Sequence, residues 1–111
     1  MQDYLYLFIG TDTTNRTPEE SEQVRKAWYG WMDDLRSAGV WVGGNPLDRT
    51  GKTISGTDKN ITDGPFAETK ELVGGFIRVK TPDIETAVEH AKGCPCFASG
   101  GRVEVRPVLE I

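Results

Sequence analysis

Tyr4-Leu5-Tyr6-Leu7-Phe8-Ile9 is an unbroken apolar run, and it is apolar on both of its alternating faces. Side chains alternate across a strand, so Tyr4, Tyr6 and Phe8 share one face and Leu5, Leu7 and Ile9 the other. Aromatic and branched residues at this density read as a β-strand. A strand with two apolar faces needs cover on both. The chain has 111 residues, which makes one small domain with a modest core. Its helices suffice for one side of a sheet. The other side is expected to meet a second copy of the chain.

The rest of the chain supplies matching elements. After a polar loop over residues 10–16, Thr17-Pro18-Glu19-Glu20 offers an N-cap, a proline at the first helical position and a glutamate placed for a capping box. Val24, Trp28, Trp31, Leu35 and Ala38 then recur at steps of four, three, four and three, the stripe of an amphipathic helix. Both tryptophans lie on that stripe and are read as core packing, with pocket lining the lesser possibility. Gly39 is placed to stop the helix in a left-handed cap. Val40-Trp41-Val42 begins a second strand. Residues 43–64 are rich in glycine, threonine, asparagine and aspartate, and residues 52–55 and 59–62 are spaced to pair as a short hairpin.

A third main strand is expected over residues 72–80. Thr81-Pro82-Asp83 caps a second helix whose apolar stripe is Ile84, Ala87, Val88 and Ala91, with Gly93 as its stop. Residues 102–111 alternate as a last strand, with Val103, Val105, Leu109 and Ile111 on one face and Pro107 marking an edge or a bulge. The order strand, helix, strand, hairpin, strand, helix, strand makes two βαβ halves. That is an α+β, ferredoxin-like arrangement, an antiparallel sheet with both helices on one face.

Composition narrows the function. The formal net charge is −4 and lysine and arginine form no basic stripe, so direct nucleic-acid binding is disfavoured. The longest apolar run, at the first strand, is too short to cross a membrane, and the start of the chain lacks a basic leader. Cys94 and Cys96 flank Pro95, which is neither a disulfide framework nor a Cys-x-x-Cys motif, and reduced thiols in a cytoplasmic protein are the simple expectation. His90 lies on the polar arc of the second helix, and a solvated histidine is its ordinary reading. No metal site and no cofactor are called for.

The stretch Asp63-Gly64-Pro65-Phe66-Ala67-Glu68-Thr69-Lys70-Glu71 packs four charged side chains, an aromatic anchor and two backbone punctuators into nine residues. It joins a polar excursion to a strand, a place where functional residues concentrate. In the strand that follows, Val73, Ile77 and Val79 share one parity, which projects Glu71 onto the inward face as a partly buried carboxylate. A bulge at Gly74-Gly75 would break that parity. Asp63 is placed for an Asx-turn and, as the functional alternative, for general acid/base work. Phe66, Glu68 and Lys70 are candidate ligand contacts. Arg78 and Arg106 are expected on the sheet face away from the helices, to receive a carboxylate-bearing ligand or to pair with Glu104 across subunits.

DGPFAETKE, followed by GGF and later by CP and VEVRPV, resembles the DGPF group of the YCII-related domain family, over nearly the whole chain from YLYLFIG onward. The resemblance implies a ferredoxin-like fold and a homodimer of the α+β-barrel type. Relatives in the wider family carry a histidine and an aspartate as an active-site pair, and some are lyase-like or isomerase-like. This chain has no histidine in its first helix or the following strand, and Asp63 is the one partial match. The DGPF group is often linked with extracytoplasmic-function sigma factors, which implies regulatory or accessory work. Two functions from different classes are thus expected: a small-ligand-binding or regulatory homodimer with a cleft near the DGPF stretch, or an enzyme moving protons on a small organic molecule through Asp63 or Glu71. A purely structural role of the stretch, locking the excursion onto the sheet, accompanies either.

Overall fold

A computed structural model of the chain describes residues 1–11, 16–64 and 71–111. The elements run β1 (Gln2–Ile9), α1 (Pro18–Ser37), β2 (Trp41–Pro46), β3 (Gly51–Ser55), β4 (Asn60–Gly64), β5 (Val73–Thr81), α2 (Ile84–Ala91), a 3-10 turn (Pro95–Ser99) and β6 (Arg102–Pro107). The main sheet has the order β2-β5-β1-β6, and every neighbouring pair in it is antiparallel. This is the ferredoxin-like α+β arrangement. The β3–β4 pair forms a separate ribbon.

Local chemistry sets the ends of the elements. The Thr17 hydroxyl accepts the Glu20 amide at 3.1 Å and Pro18 opens α1. Asp83 accepts the Thr86 amide at 2.8 Å at the start of α2. Each cap satisfies an amide that the helix leaves without an internal partner. Gly39 ends α1 region with φ +76, the left-handed conformation that costs glycine least. Gly93 follows the end of α2, as expected of its stop, and has a packing role as well. Helix α2 stops at Ala91 with Lys92 as its cap, and a Cβ on Gly93 would lie 3.1 Å from Trp31 Cδ1. The glycine is there so that the indole can approach.

The core lies between the sheet and the two helices. Tyr4, Tyr6, Phe8, Ile77 and Val79 from the sheet meet Trp31 and Leu35 of α1 and Ala87 and Ala91 of α2 in one buried cluster. Tyr6 is fully buried. Its hydroxyl donates to the Ala87 carbonyl at 2.5 Å, so the phenol is buried without an orphaned polar atom. Trp31 Nε1 donates to the His90 carbonyl at 3.0 Å, which ties α1 to the end of α2. His90 thus serves the core through its backbone.

Some expected core positions are not buried. Ala38 is the exposed cap of α1, and Ile84 and Val88 are both 37% exposed. The last strand ends at Pro107, which has no N–H to carry the ladder further, and Leu109 and Ile111 beyond it are exposed. β6 is an edge strand, as that proline suggests. Ile9 is buried although β1 parity assigns it to the far face. Ile9 stands outside the main core cluster, beside a register shift in which Phe8 pairs with Gly75 and Ile9 with Val73, leaving Gly74 as the extra residue.

The far face of the sheet carries Leu5, Leu7 and Phe76 at its centre, all half-buried in the single chain. Charged groups surround them. Arg78 Nε donates to Asp3 at 2.6 Å and Lys80 Nζ lies 3.5 Å from the same carboxylate. Arg106 and Glu104 pair in register with Leu5 and Leu7.

Candidate functional site

β2 and β5 lie side by side in the sheet, and at Gly44 and Gly75 a side chain would have no room. A Cβ on Gly44 would come within 2.5 Å of the Phe76 carbonyl oxygen and 2.8 Å of Ile77 Cα. One on Gly75 would meet the Asn45 oxygen at 3.0 Å. This part of the sheet is therefore a floor of bare backbone, and α1, whose buried residues are Trp31 and Leu35, leaves space above it. The result is a cleft of about 490 Å³, within the range that small-molecule sites occupy.

Its walls come from segments far apart in sequence. Helix α1 contributes Arg25, Trp28, Tyr29 and Met32, one flank of the helix at steps of three and four. The end of β1 adds Phe8, and Thr11 follows it. Pro46 at the end of β2 and Leu47 and Arg49 beyond it close that side, with the Leu47 amide donating to the Gly74 carbonyl at 2.9 Å to hold that segment in place. Trp28 packs edge-on against Phe8, ring centroids 4.9 Å apart. It both joins the core and lines the cleft.

Three arginines border this apolar space, and its described lining holds no carboxylate, imidazole or thiol. Arg16 donates to the Ser99 hydroxyl at 2.5 Å, a neutral partner that leaves its charge uncompensated by any carboxylate among the described residues. Arg25 is paired with Glu22 one turn earlier, and that hydrogen bond raises its pKa further above the ordinary arginine value. Arg49 is also partnered.

The residues singled out in the sequence lie elsewhere. Asp63 is exposed on the β3–β4 ribbon, its carboxylate paired with Lys52 across the two strands. Glu71 is exposed rather than partly buried. β5 begins only at Val73, so the strand's alternation does not reach Glu71, and the bulge at Gly74 turns Val73 itself outward. Neither carboxylate lines the cleft. Arg78 and Arg106 lie on the face away from the helices, as expected, with Arg78 bonded to Asp3. Phe66, Glu68 and Lys70 lie outside the described residues.

Cys94 and Cys96 are unbridged and buried. Cys94 caps the 3-10 turn by accepting the Cys96 amide at 3.4 Å, while the bond its own thiol makes to the Cys96 sulfur, together with burial, pushes its pKa far up. That is the setting of an inert structural thiol.

Sequence reasoning missed Arg16, Arg25 and Arg49. A signal existed for one of them. Arg25, Trp28, Tyr29 and Met32 form a second stripe beside the buried one, mixing a cation with aromatics where a solvated flank would be plainly polar.

No curated protein matches the chain by sequence. Among solved structures the chain resembles 5-chloro-2-hydroxyhydroquinone dehydrochlorinase from Burkholderia phenoliruptrix, in complex with 2,5-dihydroxybenzoquinone, at 15% identity and a TM-score of 0.45 over 90% of each chain. No helix among the described residues is long and apolar enough to cross a membrane. The model of the YCII-related domain matches residues 4–111, and the chain belongs to that family.

Proposed function

We propose that this chain is a small-ligand-binding homodimer of the DGPF group, a cytoplasmic module with regulatory or accessory work, rather than an acid/base enzyme. The observation that carries this reading is the cleft between α1 and the β2–β5 floor. It is concave, largely apolar and fringed by a few polar groups, the general character of a ligand site. Proton transfer on a bound molecule needs a carboxylate, imidazole or similar base within hydrogen-bond reach. The described lining offers no carboxylate, imidazole or thiol, and the Tyr29 phenol is its one acid/base group, while Asp63 and Glu71 are exposed outside it. The sigma-factor link implied by the DGPF motif fits a module that reports on a bound molecule.

The homodimer rests on the open sheet face. Leu5, Leu7 and Phe76 form an apolar centre there, with Asp3, Arg78, Lys80, Glu104 and Arg106 around it. An apolar centre with a charged rim of both signs suits a self-complementary two-fold contact.

The reading is tested by titrating isotope-labelled protein with a library of small organic acids, amides and alcohols and following backbone amide signals. Shifts concentrated at Trp28, Leu47 and residues 74–77 are expected. Conversion of any library member at a rate abolished by Asp63→Asn or Glu71→Gln would overturn the reading in favour of a lyase- or isomerase-like enzyme.

A further inference from the structure

The charge and shape of the cleft say which ligands suit it. Its described lining carries three guanidinium groups and no carboxylate. Arg25 has Glu22 beside it, whereas Arg16 is held only by the neutral Ser99 hydroxyl among the described residues. Guanidinium has five donors in a planar fork, so the single bond to Ser99 fixes the position of Arg16 and leaves donors over. Ser99 sits at the end of the 3-10 turn, which makes that anchor part of a built element. A half-buried cation beside apolar walls attracts an anion more strongly than one in open water, because screening is weaker there.

The apolar part of the cleft is aromatic. Trp28 and Phe8 stand edge-to-face at 4.9 Å, and Met32 and Leu47 close the space near them. Flat ring surfaces of this kind pack on the ring of a ligand. At Gly44 and Gly75 the floor is bare backbone, which leaves a flat patch there that suits a planar body.

We infer that the cleft takes a planar organic acid, its ring packed against Trp28 and Phe8 and its carboxylate received by Arg16. This rests on the ligand-binding reading above and goes further by naming the chemical class and the anchoring residue. Arg16 is a binding residue here and performs no chemistry.

Indole-3-acetate and its neutral amide, indole-3-acetamide, serve as probes because they share one ring and differ in charge. Calorimetric titration of the intact protein is expected to show the acid binding roughly tenfold or more tightly than the amide. Arg16→Gln should remove that preference while leaving amide binding in place, and Arg16→Lys should restore part of it. Folding of each variant is checked by circular dichroism. Equal affinity for acid and amide in the unaltered protein would overturn the anion inference and leave the ligand cleft standing. Failure of both probes to bind would overturn the two together. A preference that survives Arg16→Gln in the folded protein would overturn the assignment to Arg16.

Discussion

The two faces of the main sheet carry similar central residues and meet different surroundings. On the helix side Tyr6 and Val79 are fully buried, and Tyr6, Phe8, Trp28 and Trp31 form a connected aromatic cluster with centroid distances from 4.9 to 6.5 Å. On the far side Leu5, Leu7 and Phe76 remain half-exposed within a ring of charges. The covered face has exchanged water for close-packed neighbours. The open face has the same apolar character, and among the described residues no second layer is packed on it. Apolar content alone therefore does not make a core. What decides is whether a second layer lies within reach.

The largest expected effect separates the faces directly. Leu35 is 1% exposed above the covered face, and Leu35→Ala should cost about 3 kcal/mol in urea unfolding through lost burial and the cavity left behind. Leu7→Ala on the open face should cost under about 1 kcal/mol at high dilution, since little burial is lost there. In the proposed dimer the Leu7 cost rises with protein concentration, because folding and association are then linked. Equal, concentration-independent costs at the two positions would break the contrast.

Alkaline titration probes the covered face next. Burial pushes the Tyr6 phenol from its ordinary value of 10.0 up to about 12. The folded pKa is the higher one, so the contribution is intact below pH 10. It is lost as the unfolded chain releases a proton that the folded chain retains. Stability should fall by about 2 to 3 kcal/mol between roughly pH 10 and 12. Tyr6→Phe should flatten that slope, and a slope unchanged by the substitution would show that other groups cause it.

The open face gives the smallest effect. Hydrogen bonding from Arg78 holds the Asp3 carboxyl below its ordinary value, so its contribution is present above that value and lost as pH falls through the lowered one. Asp3→Asn should abolish a shallow acid dependence of unfolding, and a steep one persisting in the variant would place the cause elsewhere. Exposed ion pairs of this kind contribute little to stability.

Much of the fold is legible along the chain because its signals are local. Thr17-Pro18, Gly39 and Asp83 mark helix ends through bonds made within a few residues. The alternation of β1 depends on period alone, and it tells which residues share a face. The cleft is a different matter. Arg16, Arg25, Leu47 and Gly75 meet only when β2 is laid beside β5 and α1 is laid across them. No spacing in sequence encodes that meeting. Trp28 is instructive, since its place on the apolar stripe is right and its second role at the cleft follows from what the neighbouring strands lack.

By itself, the sequence determined the order of elements, the two apolar faces of β1, the helix caps and the family motif, all of which rest on interactions between near neighbours or on a simple period. Only the tertiary structure decided which side of β5 each residue takes around Gly74, and that Asp63 and Glu71 lie exposed outside the cleft. A single inserted residue in a ladder reverses every side chain before it, and whether a bulge forms is settled by the strand across from it. The physical site likewise depends on the β2–β5 pairing at Gly44 and Gly75, a contact between segments that sequence separates and packing joins.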